Sequence, residues 1–254
     1  DKYLNDGTIS NCQKALYQDE SSDYHVSPLS ITEDVCDDFY ANFPDKGIFG
    51  IGGDHSISYP LTKSYLKAKR AQGKRTAIIH FDAHTDLLVE RLGIDLCFGS
   101  WCTHILEFLP APHHLIQFGI RSSGKDKTHW ESTFGVKQHW AHEIREKGAQ
   151  AIVDQVIAQL KADNVDELYV SFDIDALDAT FAAATGTPEY DGMTPDEAML
   201  ILNALAKEFP ITGADMMEIA PFTDASHSGK QASESTLREG AKISALLIDA
   251  MNSK

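Results

Sequence analysis

Residues 76–86 read TAIIHFDAHTD, an apolar run that ends abruptly in acidic and imidazole side chains. The apolar part, 76–81, predicts a buried strand, because its residues lack the polar alternation of a half-exposed strand. Asp82, His84 and Asp86 then recur with a period of two where the strand ends. Since alternate residues of an extended chain lie on one side, these three side chains can face a single point.

Four other apolar runs, separated by helical patterns, have the same form. The runs cover residues 48–51, 114–119, 168–172 and 211–217, and the helical patterns cover 60–72, 144–163 and 234–251, with one more helix starting at 194–195. Buried strands that alternate with helices predict an α/β fold whose parallel sheet is covered on both faces. We expect a single domain over residues 1–254, with a polar, irregular segment over the first 30 residues.

Reactive side chains also follow the other predicted strands. His55 comes after the first run, behind two glycines; Asp173 and Asp175 follow the run over 168–172; and Glu218 follows the last run. In open parallel sheets, ligands bind beyond the carboxyl ends of the strands. We therefore expect these side chains to converge at one edge of the sheet.

So many carboxylates and imidazoles are costly to bury together unless cations compensate their charge. Two divalent ions, about 3.5–4 Å apart, would do so and would also ionise a shared water near neutral pH. The predicted ligands are His55, Asp82, His84, Asp86, Asp173 and Asp175. Because cysteine is absent from this set, the ligand chemistry favours Mn²⁺ over a structural zinc ion.

Composition disfavours several classes of partner. The 254 residues, 43% of them hydrophobic, carry 22 Lys and Arg against 38 Asp and Glu, a formal net charge of −16. This negative charge disfavours nucleic acid and anionic membranes as partners. No apolar stretch approaches the roughly 20 residues that cross a bilayer, and no secretory signal pattern is present. The four cysteines lack metal-knuckle spacing, so we expect free thiols and a cytoplasmic location.

Five segments together resemble the ureohydrolase superfamily, which includes arginases and agmatinases. Three resemble its signatures: GGDHS at 52–56, DAHTD at 82–86 and SFDID at 171–175. TGTP at 185–188 and MEIAP at 217–221 are similar to its agmatinase-like branch. The resemblance implies a three-layer αβα fold with a mainly parallel sheet. It also implies two Mn²⁺ ions per subunit on the six residues named above, and hydroxide attack on a guanidinium carbon that releases urea.

The same resemblance implies roles for individual residues. Asp175 and Glu218 would be catalytic, with Glu218 pairing with the guanidinium of a small cationic substrate. Asp82 and Asp175 are both oxygen ligands that can bridge the two ions. Arg121 matches a recurrent segment of the family, and we interpret it as structural or as a subunit contact. Because the family usually forms trimers or hexamers, we expect a homo-oligomer.

The sequence departs from the family pattern at several points. Leu88 stands where arginases place an asparagine, which disfavours an arginase. Phe98 stands where arginases and agmatinases carry a histidine that is proposed to shuttle protons, and phenylalanine cannot transfer one. His104 could replace that histidine if its loop folds back. The chain also lacks the strand and the Gly/Pro-rich substrate loop that precede the His55 segment in the family.

These features lead to one preferred function and two alternatives. We predict a Mn²⁺-dependent, agmatinase-like hydrolase of a guanidino or amidino compound. The first alternative, motivated by Phe98, is a non-catalytic metal-binding relative with a regulatory or binding role. The second is a two-metal phosphoesterase, which also uses Asp and His ligands. It ranks last because no cluster of Arg or Lys near the motifs could hold a phosphoryl group.

Overall fold

A six-stranded parallel sheet forms the centre of the computed structural model, which describes residues 1–19, 21–91, 93–221 and 230–253. The strands are β1 (Phe49–Ile51), β2 (Thr76–Phe81), β3 (Leu115–Phe118), β4 (Lys137–His139), β5 (Glu167–Asp173) and β6 (Ile211–Met217). Their spatial order is β1-β6-β5-β2-β3-β4, and every neighbouring pair is parallel.

Helices cover both faces of this sheet. They are α1 (Asp6–Tyr17), α2 (Pro28–Asn42), α3 (Ser58–Ala71), α4 (Trp101–Ile105), α5 (Lys127–Phe134), α6 (Ala141–Lys147), α7 (Ala149–Ala162), α8 (Pro195–Glu208) and α9 (Lys230–Asn252). One apolar core lies between the sheet and α6 to α9, and the other lies between the sheet and α2 to α5. Strand β2 serves both cores, since Ile79 packs in the first and Ile78 in the second. The predicted three-layer αβα fold is confirmed.

The N-terminal segment differs from expectation. Residues predicted to be irregular form α1 and the start of α2, whose buried face carries Ser30 and Glu33 as well as Cys36. Lys63 pairs with Glu33 at 3.0 Å, so this ion pair lets a charged residue occupy a buried position. The polar residues on the buried face hid the apolar periodicity that would have indicated a helix.

Two other elements were misjudged from the sequence. The helix predicted over 144–163 is two helices, α6 and α7, separated by Gly148, whose φ of 86° breaks the helical path. Strand β4 was missed, because its three residues, Lys-Gln-His, have no apolar run. Among the described residues, no helix has the combination of length and apolar character that a bilayer crossing needs.

The strand order fixes where the site can form. The chain proceeds outward from β2 through β3 to β4, and then returns to place β5 on the other side of β2. The direction of winding therefore reverses between β2 and β5, and such a reversal opens a crevice at the carboxyl ends of the strands. Asp82 directly follows β2 and Asp173 ends β5, so both carboxylates lie at this crevice.

Arg121 braces the loops on one side of the crevice. Its guanidinium donates hydrogen bonds to backbone carbonyl oxygens of Gly119, Asp175, Ala176, Leu177, Glu189 and Tyr190. Gly192 packs directly against this guanidinium, because a Cβ built there would lie 2.5 Å from Arg121 Nη2 and 2.6 Å from the Asp178 amide nitrogen. Arg121 thus has a structural role within the chain and holds the backbone of Asp175.

We expect Gly192→Ala to lower the free energy of unfolding by roughly 1–3 kcal/mol, the usual cost of overpacking a filled site. The added methyl must push aside either Arg121 or the backbone of Asp178. Gly124→Ala is the matched control, since a Cβ there meets nothing within 4 Å. Denaturant unfolding of both variants measures the difference, and equal stability would show that the Arg121 brace can move freely.

Candidate metal centre

The six predicted ligands converge at the carboxyl ends of β1, β2 and β5. His55 Nδ1 lies 3.1 Å from Asp173 Oδ2, 3.2 Å from Asp82 Oδ2 and 3.4 Å from Asp86 Oδ2. On the other side of Asp82, a second imidazole completes another group. His84 Nδ1 lies 3.2 Å from Asp82 Oδ1 and 3.1 Å from Asp175 Oδ2. Their assignment as metal ligands stays a prediction.

Asp82 is the residue that the two groups share. It turns Oδ2 towards His55 and Oδ1 towards His84. One potential ligand atom from each of His55, His80, Asp82 and Asp86 lies within 4.8 Å of the others, and the same is true of Asp82, His84 and Asp175. Each of these two sets could hold a cation, and Asp82 belongs to both.

Burial makes the ionised form of the carboxylates in this cluster unfavourable. Asp86 and Asp173 have pKa values raised well above the usual range, first by burial and then by the neighbouring carboxylates Asp82 and Asp175. Burial alone would also raise the pKa of Asp82, but hydrogen bonds from His55, His80 and His84 hold it well below the usual range. A divalent cation would relieve the repulsion that the raised values express.

The imidazoles of the cluster also have raised pKa values, although burial acts to lower them. Burial acts to lower the pKa of His55, yet its contacts with Asp173 and Asp82 raise it well above the usual value. His84 is 27% exposed, and contacts with Asp175 and Asp82 raise its pKa to about 12 against the effect of burial. Protons on these rings take the place that cations would fill. The donor set of carboxylate oxygen and imidazole nitrogen fits a hard to borderline divalent ion.

A buried hydrogen-bond chain orients His55. Its Nε2 lies 3.0 Å from Ser171 Oγ, on the side of the ring away from the carboxylates. Ser171 Oγ donates to Asp215 Oδ1 at 2.8 Å, and the Tyr169 hydroxyl donates to the other oxygen of Asp215 at 2.7 Å. Nε2 therefore keeps its proton, and Nδ1 is the nitrogen that faces the carboxylates and would face a cation, an orientation that is typical of metal-binding histidines.

A second chain ends on the shared carboxylate and was missed from the sequence. The Trp140 indole N–H can only donate, and it does so to Gln138 Oε1 at 2.9 Å. Gln138 Nε2 must then face Gln117 Oε1, 2.8 Å away. This leaves Gln117 Nε2 to donate to the Thr85 carbonyl oxygen at 2.7 Å and to His80 Nδ1 at 2.9 Å.

The direction of these bonds sets the tautomer of His80. Because Nδ1 accepts from Gln117, the ring proton of the neutral imidazole sits on Nε2, which donates to Asp82 Oδ2 at 3.0 Å. Burial lowers the pKa of His80, which favours this neutral form. His80 thus fixes the orientation of Asp82. His80 and Gln117 lie on internal strands, where single polar residues give no sequence signal of a site.

The cluster lies at a cavity with a volume of about 440 Å³. Glu218 lines this cavity as well. Its Oε1 accepts a hydrogen bond of 2.7 Å from the His55 backbone N–H, while Oε2 lies on the side of Gly186. Burial raises the pKa of this carboxyl. Glu218 and Asp86 have φ values of 62° and 51°, and such strained backbone in residues other than glycine clusters at functional sites.

Phe98 and His104 differ in their position relative to the cavity. Phe98 lines the cavity. His104 lies outside the described cavity lining; its Nε2 is 3.0 Å from the Asp95 carbonyl oxygen and its ring packs edge-on against Tyr59. Among the described residues that line the cavity, the imidazoles are those of His55 and His84.

Comparison with known proteins agrees with this geometry. A family model described as the Arginase family matches residues 5–247. An agmatinase of Bacillus subtilis (strain 168) is 32% identical over 209 residues, which are 81% of this chain and 67% of that relative. An agmatinase of Salmonella newport (strain SL254) is 36% identical over 183 residues, or 71% of this chain. The chain spans about half of the Salmonella protein, at 54%.

A solved structure gives the same result. The chain superposes on a hypothetical agmatinase from Burkholderia thailandensis with a TM-score of 0.70 and 29% sequence identity. The superposition covers 88% of this chain and 65% of the Burkholderia chain. The family match over residues 5–247 spans the strands that carry the six converging side chains.

We expect manganese to bind more tightly as the pH rises. In the metal-free protein the raised pKa values of His55 and His84 keep protons on these imidazoles at neutral pH. A cation must displace these protons, so affinity should rise by up to about tenfold per pH unit for each proton released. Calorimetry at pH 6, 7 and 8, in buffers of different ionisation enthalpy, measures both affinity and proton release.

The matched control is Asp45→Asn, which removes one exposed carboxylate outside the cluster and should leave the pH dependence intact. Affinity that does not change with pH, together with no proton release, would contradict the protonation of the cluster.

We expect Gln117→Met to weaken manganese binding by roughly ten- to a hundredfold, the usual cost of losing a group that orients a ligand. Methionine keeps the volume but no longer fixes His80, so Asp82 loses its preferred orientation. Competition with a chelating dye measures the affinity. Trp140→Phe removes only the hydrogen bond farthest from Asp82, so it should weaken manganese binding less. Unchanged manganese affinity in a folded Gln117→Met protein would disprove that this hydrogen-bond chain orients Asp82 for metal binding.

Proposed function

This chain belongs to the arginase family, and from that premise we propose that it hydrolyses a small guanidino compound and releases urea, using two Mn²⁺ ions. The observation that supports this proposal most directly is the position of Asp82 between two groups of ligand atoms. A single structural ion would not need two groups that share a carboxylate. Because the chain spans only part of its relatives, the activity of those proteins enters here as a proposal.

We assign the proposed ligands to the two ions from the distances between their side chains. His55, Asp86 and Asp173 would hold one ion, His84 and Asp175 the other, and Asp82 would contact both. When bound, the pair of ions supplies an ionised water near neutral pH. The protein orients His55 through its hydrogen bond with Ser171 and Asp82 through its hydrogen bond with His80. It excludes competing water by burying the carboxylates.

Glu218 is suited to hold the guanidinium. Its Oε1 is fixed by the His55 backbone, which keeps the carboxylate at the wall of the cavity beside the metal ligands. A carboxylate in that place offers a charge-assisted hydrogen bond to a planar cation. The substrate carbon would then lie between Glu218 and the ligand cluster. Asp175 takes part as a ligand, and its Oδ2 also accepts a hydrogen bond from Thr187 at 3.2 Å.

Phe98 keeps a second function open. A metal-binding relative without catalytic activity would retain the ligand cluster and lack the histidine that shuttles protons. The described cavity lining indeed offers no imidazole besides His55 and His84, which would both be ligands. We rank catalysis first because Glu218 is held beside His55 and Asp86 has a strained backbone, and a purely structural metal site needs neither. A homo-oligomer stays a prediction.

We expect the manganese-loaded protein to release urea from a panel of guanidino compounds, and Glu218→Gln to reduce kcat/KM by roughly ten- to a hundredfold, the value of a hydrogen bond to a charged group. Glutamine keeps the acceptor for the His55 N–H, so metal content should not change. Asp175→Asn is the contrasting variant, because it should lower both metal content and turnover. Full metal occupancy without turnover of any compound would favour the non-catalytic relative.

A further inference from the structure

The cavity lining includes Leu88, Arg91, Phe98 and Gly99, which we call the rim because Leu88 and Arg91 are exposed to solvent. Arg91 pairs with Ile94 through two backbone hydrogen bonds of 3.0 Å, which fix where the Arg91 side chain begins. The Arg91 guanidinium carbon lies 4.8 Å from the centre of the Phe98 ring. A Cβ built on Gly99 would lie 3.9 Å from Arg91 Cδ, so the side chain runs along the rim towards Phe98.

The contact with Phe98 holds the cation and leaves its donors available. A guanidinium that lies over an aromatic ring uses its face, whereas its N–H donors point outward in the plane. Within the described ranges of the chain, Arg91 forms no ion pair with an acidic residue, although the chain has 38 of them. The planar fork of an arginine is well matched to a carboxylate, which it can bind through two parallel hydrogen bonds.

The two ends of the cavity therefore have opposite charge. At the inner end, Glu218 lies beside Asp54, whose negative charge helps to raise the pKa of Glu218. At the rim, Arg91 is the only Arg or Lys among the described residues that line the cavity. A substrate whose guanidinium is held by Glu218 would extend its other end away from the metal ligands and towards the rim. A positively charged tail would meet repulsion there.

We propose that Arg91 forms a carboxylate-binding subsite and that the substrate is a guanidino acid rather than a guanidino amine. This inference rests on the proposed function for the position of the guanidinium. It also gives Phe98 a role, because its ring supports the Arg91 guanidinium. The cavity thus binds a zwitterion, with the cationic group at Glu218 and the anionic group at Arg91.

Three compounds that differ in the tail test the inference: 4-guanidinobutanoate, butylguanidine and agmatine, with anionic, neutral and cationic tails. For the manganese-loaded protein, we expect kcat/KM to fall in that order. The anionic compound should exceed the neutral one by roughly ten- to a hundredfold, as expected for a hydrogen-bonded charged pair. Arg91→Met, which keeps an unbranched stem over Phe98, should remove this difference, and Arg91→Lys should retain part of it.

The control variant is Arg75→Met, which makes the same change in net charge at an exposed position before β2, at the opposite end of the sheet from the cavity. It should leave the order of the three compounds unchanged. Calorimetric binding of the three compounds is measured separately from turnover. Tighter binding of 4-guanidinobutanoate that depends on Arg91, without urea release, would support the subsite while disproving the proposed hydrolysis. Preference for agmatine, or an unchanged preference in Arg91→Met, would overturn the inference.

Discussion

The crowding of four buried carboxylates at the crevice between β2 and β5 is the constraint on which the rest of the molecule depends. Asp82, Asp86, Asp173 and Asp175 lie within contact distance of two imidazoles, and burial acts against the charge of each. Isolated buried charges of this kind would unfold the edge of the sheet. The fold tolerates them because protons or cations compensate the charge and because a fixed donor holds at least one oxygen of each carboxylate.

Those fixed donors explain why polar residues occur inside the sheet. Ser171 faces His55, and His80 faces Asp82, each from a strand that is otherwise buried and apolar. Gln117 continues the second chain on β3. Each of these side chains has its hydrogen bonds satisfied by another buried group, so the networks specify one geometry instead of weakening the core. The ligand cluster is rigid because the strands behind it are.

The sequence allows the convergence of these side chains to be predicted, because strand geometry relates the spacing of residues to the direction of their side chains. Asp82, His84 and Asp86 have the period of two that an extended chain converts into a shared side, and Asp173 repeats it with Asp175. Contacts between residues far apart in the sequence have no such local signature. Gln117, for example, forms a hydrogen bond with His80 from 37 residues away. The same limit applies to α2, where the partner that makes Glu33 a buried residue lies 30 positions further along the chain.

The two ends of the cavity depend on different parts of the fold. Glu218 and the ligands stand at strand ends, where sheet register fixes them, and the strained φ values of Asp86 and Glu218 show that the surrounding packing overrides local backbone preference. The rim depends on a turn at Arg91 and on the segment that carries Phe98, neither of which belongs to the sheet. Loops on a rigid scaffold can change their residues without disturbing it. Chemistry and selectivity can therefore vary separately, so a phenylalanine at position 98 is compatible with an intact cluster of carboxylates and imidazoles.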